Sequence, residues 1–283
     1  MNPKSYSLGL IGFPLGHSLS PQIHGAALHA IGISGEYSLY PVAPSPEGEK
    51  ELAALLDKVK NGAIHGLNVT IPHKQNVMPL LDELTPAAET IGAVNTIFIQ
   101  DGRLIGENTD APGFWADFQQ FTGSKEQEMP SALVLGAGGS ARAVVYALLT
   151  HGYQVAIAAR RIEQAHQLCN QLSGIGSQIH VLDSIQRSLD KDRYSLLVNT
   201  TPVGMHPHEN ASPWPMNIAL PKHTAIYDLV YNPRETLLVK RARANGLLAT
   251  TGMGMLVEQA ALAFELWTGV AAPRNVMKQV VGM

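Results

Sequence analysis

The sequence predicts an α/β protein of two domains, the second built on a Rossmann-like, doubly wound parallel sheet. Three observations carry this expectation. Short apolar runs alternate with helical stretches along most of the chain. A glycine loop, Gly136-Ala137-Gly138-Gly139-Ser140-Ala141, follows one such run directly and opens a helix. The length, 283 residues, is more than one core usually holds.

Taken in order, residues 7–12 form a short apolar run that stops at glycine and proline, and read as a strand. Ser20 and Pro21 read as a helix start, with serine at the N-cap, proline at the first helical position, and Gly32 as the stop after about residue 31. A strand over 36–42, a helix over 46–59 and a strand over 64–70 follow, and Pro72 opens a short helical turn. Residues 94–100 and 103–107 flank Asp101-Gly102, a dipeptide that favours a tight hairpin. A connecting helix over 111–121 leads into the polar stretch 122–130, which reads as an exposed linker. Beyond it lie a strand (131–135), the glycine loop, a helix (141–150), a strand (153–159), and further strands at 195–199 and 225–230. This βαβ alternation predicts a parallel sheet with helices on both faces. Residues 205–223 contain four prolines and read as an irregular loop.

Composition narrows the function classes. Hydrophobic residues make up 45% and charged residues 15%, enough apolar material for a sizeable core. The net charge of −3, with both signs interspersed, argues against a nucleic-acid surface or a polybasic membrane patch. One cysteine, Cys169, excludes an intrachain disulfide and a cysteine metal cluster, and suits a reducing cytoplasm. It reads as a helix residue and not as a nucleophile. The first 13 residues lack the pattern of a signal peptide. The longest apolar stretch, 254–272, carries Glu258, Gln259 and Glu265 and reads as an amphipathic helix. His17, His24, His65, His206, His208 and His223 read as surface or packing residues, and no metal is expected.

In its strand–loop–helix setting the glycine loop points to a dinucleotide. Its glycines permit the tight turn and close approach of the backbone to a pyrophosphate. Ala141 lets helix pack on strand, and the helix N-terminus presents N–H groups to the phosphates. The end of the next strand discriminates between cofactors. An acid there would bind ribose hydroxyls, but the chain has Ala159-Arg160-Arg161 and no acid before Glu163. Two guanidinium groups suit a 2′-phosphate, which favours NADP over NAD.

Two polar clusters stand out elsewhere. In Asn68-Val69-Thr70-Ile71-Pro72-His73-Lys74, Asn68 and Thr70 lie two apart on a predicted strand and share a face, with Lys74 on the turn beyond. Glu107-Asn108-Thr109-Asp110 ends the hairpin, just before the connecting helix. Strand ends and the loops after them are where α/β proteins place ligands. Alone, the lysine would read as a surface charge and the aspartate as a helix cap.

These segments, together with Gly16-His17-Ser18-Leu19-Ser20-Pro21, Gly92-Ala93-Val94-Asn95-Thr96, the glycine loop, and Gly252-Met253-Gly254-Met255-Leu256-Val257-Glu258-Gln259, resemble the signatures of the shikimate/quinate dehydrogenase family, in the family's order over nearly the whole chain. The resemblance implies Lys74 as acid/base, with Asp110 beside it. It implies Ser18 and Ser20 on a substrate carboxylate, and Asn68, Thr70, Asn95, Tyr231 and Gln259 lining the substrate pocket. Leu229 and Gly252 would touch the nicotinamide end of the cofactor. Residues 1–110 would bind substrate and 111–240 NADP. Residues 241–283 would return to the first domain, their helix at about 256–268 bringing Gln259 to a site expected between the domains. Oxidation of a secondary alcohol sends a hydride to the nicotinamide and a proton to a base, and Lys74 as amine or ammonium fits either direction of that cycle. The chain departs from the family at Ala159, Arg161 and Gln164, near the cofactor phosphate. The implied reaction is reversible reduction of 3-dehydroshikimate to shikimate. Quinate or dual quinate/shikimate oxidation with NAD or NADP is the nearest alternative, and a non-catalytic ligand sensor is one of another class. The expected partners are small molecules, without nucleic acid or membrane, for a monomer or homodimer.

Overall fold

The computed structural model describes residues 5–123, 130–175, 178–182 and 194–283. Most of the predicted linker, residues 124–129, lies outside the described residues. The chain divides into two compact units: Met1–Gly113 together with Leu256–Met283, and Phe114–Met255.

Unit 1 opens with β1 (Tyr6–Gly12), α1 (Ser20–Ala30), β2 (Gly35–Pro41), α2 (Glu49–Lys60) and β3 (Gly66–Val69). A 3₁₀ turn (Met78–Leu80) then leads to β4 (Glu83–Leu84), α3 (Pro86–Ile91), β5 (Thr96–Gln100) and β6 (Arg103–Glu107). Its sheet is mixed, in the order β2-β1-β3-β5-β6-β4. β2, β1 and β3 are parallel, while β5 pairs antiparallel with β3 and with β6, the two arms of the hairpin turning at Asp101-Gly102. On α2, Leu52, Leu55, Leu56 and Val59 recur at helical spacing and are buried against Ile11, Leu67, Val69, Ile97 and Leu104 of the sheet.

Several expected boundaries shift for local reasons. Ser20 is not a cap: Leu19 holds that position without a side-chain bond, and Ser20 is buried inside the first turn. α2 begins at Glu49 because residues 46–48 are spent on a turn, with the Gly48 N–H bonded to the Pro44 carbonyl. β3 ends at Val69, so Thr70 lies one residue past the strand, although its N–H still reaches the Ile11 carbonyl at 2.8 Å. The expected elements do not include α3, although Thr85 caps it by accepting from the Ala88 N–H, Pro86 opens it and Gly92 closes it at φ +68°, nor the two-residue β4, which is too short to carry a pattern.

α4 (Asp110–Thr122) carries the chain from unit 1 into unit 2. There follow β7 (Ser131–Leu135), α5 (Gly139–Thr150), β8 (Gln154–Ala158), α6 (Ile162–Leu172), β9 (Ile179–Val181), β10 (Leu196–Asn199), β11 (Ala225–Asp228), α7 (Leu237–Ala244) and β12 (Ala249–Thr251). All the pairings in this sheet are parallel, and its order is β12-β11-β10-β7-β8-β9. That is the doubly wound 3-2-1-4-5-6 arrangement, with its topological switch point between β7 and β10. The strands are apolar runs because both faces are covered: Leu133, Val134, Ile157 and Val198 have no exposed surface. Unit 2 runs on past residue 240 to Met255, since α7 leads into β12, which completes its sheet. Between β10 and β11, residues 205–223 form turns and bends, with Trp214 buried among them. Tyr227 of β11 donates to the Asp117 carboxylate of α4 at 2.5 Å, and burial followed by that charge pushes the phenol pKa well up.

α8 (Met253–Thr268) carries the chain back, and α9 (Arg274–Val280) ends it. From Leu256 onward these residues belong to unit 1. Glu258, almost fully buried, accepts from Arg274 at 3.0 Å and from Lys278 at 3.1 Å, which clamps α9 onto α8. Trp267 Nε1 donates to the Ile97 carbonyl at 3.0 Å, and its indole lies against β3 at Gly66. A Cβ at Gly66 would collide with that ring. Gly66→Ala is therefore expected to destabilise unit 1 by about 1–3 kcal/mol, the usual range for overpacking. Thermal unfolding would show it as a midpoint lower by several degrees, and an unchanged midpoint would mean that Trp267 is free to move aside.

Candidate active site

The mixed sheet of unit 1 gathers polar residues at one end. β3 and β6 both finish there, and β5 starts there. The register places Asn68 opposite Thr96, and Thr96 opposite Glu107. Residues just outside these pairs, Thr70 to Lys74, Asn95, and Asn108 to Asp110, are thereby neighbours although they lie far apart in sequence.

Lys74 Nζ donates to Asp110 Oδ2, and both residues are buried, 8% and 5% exposed. Burying two charges costs several kcal/mol each unless attraction and further hydrogen bonds offset it. Those bonds are present. Asn95 Nδ2 donates to Asp110 Oδ1 at 3.0 Å and to Thr109 Oγ1 at 2.9 Å. Asn95 Oδ1 accepts the Thr109 N–H at 2.7 Å. Asn108 caps α4 by accepting from the Ala111 N–H at 3.1 Å, and its amide donates to the Ala93 carbonyl at 2.9 Å. On the other side, the Lys74 carbonyl accepts from the Val94 N–H at 2.8 Å. His73 is buried, its Nε2 2.8 Å from the Val42 carbonyl, which fixes the turn that carries the lysine.

Of the other expected substrate residues, Gln259 joins this network, its Oε1 accepting from Asn95 Nδ2 at 3.3 Å. Asn68 donates to the Asn95 carbonyl at 3.1 Å and to Thr96 Oγ1 at 3.2 Å. Ser18 and Ser20 lie together at the start of α1, the Ser20 N–H bonded to Ser18 Oγ at 3.3 Å. Tyr231 belongs instead to unit 2, where burial raises its phenol pKa. Thr109 and His73 are supports that sequence reasoning missed. Their signal is present only as membership of the two polar segments, because neither type implies a buried role by itself.

In unit 2 the glycine loop sits at the switch point. Gly136 has φ +113°, and a Cβ there would come within 2.5 Å of Thr200 Oγ1 at the end of β10, so a side chain is excluded on both counts. Ala137 is buried, and Gly138 is exposed at the N-cap of α5 with no side-chain cap bond. Gly139 and Ser140 form the first turn of α5. Uncapped N–H groups at the start of a twelve-residue helix fit a pyrophosphate. Arg160 and Arg161 follow β8, are exposed, and make no ion pair among the described residues, which fits a phosphate ligand. Leu229 and Gly252 follow β11 and β12, and the Leu229 N–H bonds to the Asn199 carbonyl at 2.9 Å. No cluster of three or more His, Cys, Asp or Glu residues able to hold a metal occurs among the described residues, and no helix among them is long and apolar enough to cross a membrane.

A parallel doubly wound sheet with this loop, in one chain with a buried lysine–aspartate pair, defines an α/β nicotinamide-linked dehydrogenase. Family models match in three stretches: the shikimate dehydrogenase substrate binding domain over residues 10–97, shikimate / quinate 5-dehydrogenase over 119–200, and the shikimate 5'-dehydrogenase C-terminal domain over 252–281. A shikimate dehydrogenase (NADP(+)) of Carboxydothermus hydrogenoformans is 42% identical, covering 100% of this chain and 99% of its own. Among solved structures, shikimate 5-dehydrogenase of Thermus thermophilus in complex with NADP(H) and shikimate is 36% identical, with TM-score 0.84 and 98% of each chain covered. Quinate dehydrogenase of Corynebacterium glutamicum in complex with NAD is 33% identical, with TM-score 0.86 and again 98% of each chain covered. The chain belongs to the shikimate dehydrogenase family.

Just before Leu229, Asp228 ends β11 with no exposed surface. It accepts from Asn199 Nδ2 at 2.7 Å, Thr236 Oγ1 at 2.7 Å and the Val230 N–H at 3.1 Å, yet burial outweighs these donors and raises its pKa from the ordinary 3.8 to about 6. The folded chain holds this proton more tightly than the unfolded one. The associated stabilisation is complete below about pH 4 and lost as the pH rises through about 6. Urea unfolding across that window should show the decline. Asp228→Asn, which turns an amide donor toward existing donors, should be less stable throughout and lack that component of the slope. An undiminished slope in the variant would remove Asp228 as its source.

Proposed function

We propose that this chain catalyses the NADP-dependent, reversible reduction of 3-dehydroshikimate to shikimate, a step in making aromatic amino acids. The observation that carries the reading is the buried Lys74–Asp110 pair, held by Asn95 within a full-length family resemblance. Unit 1 would hold the substrate and unit 2 the cofactor. The reducing interior of the cytoplasm suits a chain whose one cysteine is Cys169.

In the mechanism, Lys74 Nζ exchanges the proton of the reacting hydroxyl, giving it up in reduction and taking it in oxidation. Asp110 holds the lysine head through Oδ2, while Asn95 prevents the carboxylate from turning away. Ser18 and Ser20 would bind the substrate carboxylate, with Thr70 and Asn68 on ring hydroxyls and Gln259 beside them in unit 1; Tyr231, of unit 2, is the remaining residue that the family resemblance assigns to substrate. The Gly136–Ser140 loop and the start of α5 would hold the pyrophosphate, Arg160 and Arg161 the 2′-phosphate. NADP, when bound, supplies the hydride chemistry. A second reading, quinate oxidation with NAD, is favoured by the likeness to the quinate dehydrogenase.

Mixing the purified protein with shikimate or quinate, each with NADP or NAD, and following reduced nicotinamide separates these readings. Shikimate with NADP should react fastest, and a preference for quinate with NAD would move the chain to the second. Arg160→Ala is expected to raise KM for NADP with little effect on NAD. Equal effects on both would sink the 2′-phosphate role. Lys74→Met should lower kcat about 10²- to 10⁴-fold, the range for a lost acid/base, with shikimate binding retained. Full turnover by the methionine variant would exclude the lysine.

A further inference from the structure

Unit 1 contains a buried aromatic pair that the mechanism leaves unused. His24 of α1 has no exposed surface, and neither ring nitrogen makes a hydrogen bond. Its ring stacks on Tyr37 of β2, with centroids 4.4 Å apart and planes within 2° of parallel, while Trp267 lies 5.3 Å away. Burial lowers the imidazole pKa to about 3, with Asn68 acting weakly in the opposite sense, so the ring is neutral and adds no charge. His24 therefore serves Tyr37 as a flat apolar wall that fixes the plane of the phenol.

The Tyr37 hydroxyl emerges among residues of the proposed substrate site. It donates to Asn68 Oδ1 at 2.8 Å, and the Ser20 side chain lies beside it. Burial pushes the phenol pKa far up, so the group keeps its proton and stays a donor. Both protons of the Asn68 amide are already committed, to the Asn95 carbonyl and to Thr96 Oγ1. With Tyr37 on its oxygen as well, Asn68 has only an acceptor lone pair left for a ligand. Such a group takes a hydroxyl and repels a carboxylate or a carbonyl, since neither has a proton to give.

We infer that Tyr37 is a positioning and specificity residue of the substrate site. Its hydroxyl, held in plane by the His24 stack, holds in place the Asn68 oxygen that the Asn95 carbonyl has already oriented as an acceptor for a substrate hydroxyl. It also links Asn68 to Ser20, which serves the substrate carboxylate. A ligand carrying a carboxylate and a ring hydroxyl at the matching separation satisfies both ends, and one lacking either leaves a buried polar group unmatched. This inference rests on the substrate reading proposed above.

Tyr37→Phe keeps the ring and its stack on His24 and removes only the hydroxyl. KM for shikimate should rise about tenfold, while KM for NADP and the thermal midpoint stay close to wild type, a split that a general loss of structure would not give. A second route leaves Tyr37 intact: the effects of Ser20→Ala and Asn68→Ala on KM for shikimate should be non-additive in the double variant, because one hydroxyl joins them. An unchanged KM in Tyr37→Phe, a rise matched by equal losses in NADP binding and stability, or strict additivity in the cycle would each overturn the inference. A wild-type chain inert to shikimate would overturn both this inference and the proposed function. A wild-type chain that turns shikimate over no faster than its Tyr37→Phe variant at low substrate would overturn this inference alone.

Discussion

The Lys74–Asp110 pair makes the heaviest demand on unit 1, and much of the local architecture answers it. Two opposite charges in a nearly dry setting are tolerable only when geometry and hydrogen bonds are both favourable. The lysine sits on a turn fixed by His73 at its start and by the Val94 N–H on its own carbonyl. The aspartate sits in the first turn of α4, where the helix dipole favours a negative charge. Asn95 joins the two sides from the residue before β5. These three positions meet only because the hairpin packs antiparallel against β3, bringing the end of β3, the start of β5 and the end of β6 to one edge. A parallel strand in place of β5 would carry Asn95 to the far end of the sheet.

The role proposed for unit 2, the placement of phosphates, would rest mostly on backbone. The strands of unit 2 carry the apolar load, the strand order reverses between the paired strands β7 and β10, and the glycine loop follows the C-terminal end of β7 at that point. Side chains do the secondary work of holding the neighbouring loops. Asn199 Nδ2 bonds to Asp228 while its Oδ1 accepts from the Thr201 N–H and hydroxyl, and Thr236 both donates to Asp228 and caps α7. The ends of β10 and β11 and the start of α7 are thus tied through one buried carboxyl, adjacent to Leu229.

What is legible in the sequence follows the range of the interaction. The glycine loop, the hairpin turn and the β7 strand are local patterns, and the structure has them where the residues put them. Lys74 and Asp110 are 36 positions apart, and composition and periodicity treat each as ordinary. Only the resemblance joins them. Ser20 looks like a cap because its type and the following proline fit one, whereas the buried environment at the start of α1 takes it into the helix. His24 reads as a surface or packing residue; the structure buries it, and the sequence gives no sign of the consequence for Tyr37. That link runs from α1 to β2 to β3, and no periodicity within one element contains it. Asn95 is expected on the substrate, yet both ends of its amide are engaged inside the protein, a commitment that becomes visible only once Asp110, Thr109 and Thr96 surround it.

The chemistry of these amides explains how a site with few charges can still be selective. Lys74 and Asp110 oppose each other in charge, and the groups around them, Asn68, Asn95, Thr96, Thr109 and Gln259, are neutral. A neutral amide can in principle donate or accept, and would discriminate poorly if free to turn. Here each one has its polarity set by a partner that cannot reverse: the Asn95 carbonyl takes an Asn68 proton, the Thr109 N–H takes the Asn95 oxygen, and the Leu256 carbonyl takes the Gln259 amide. Backbone groups thereby impose donor or acceptor character on side chains, which pass it on to whatever enters. A ligand with the wrong polarity at one position leaves a buried group unpaired, at a cost of about 1–3 kcal/mol each. Selectivity built this way needs no additional charge near the lysine, and so would leave the proton transfer proposed for Lys74 to Asp110 and the substrate.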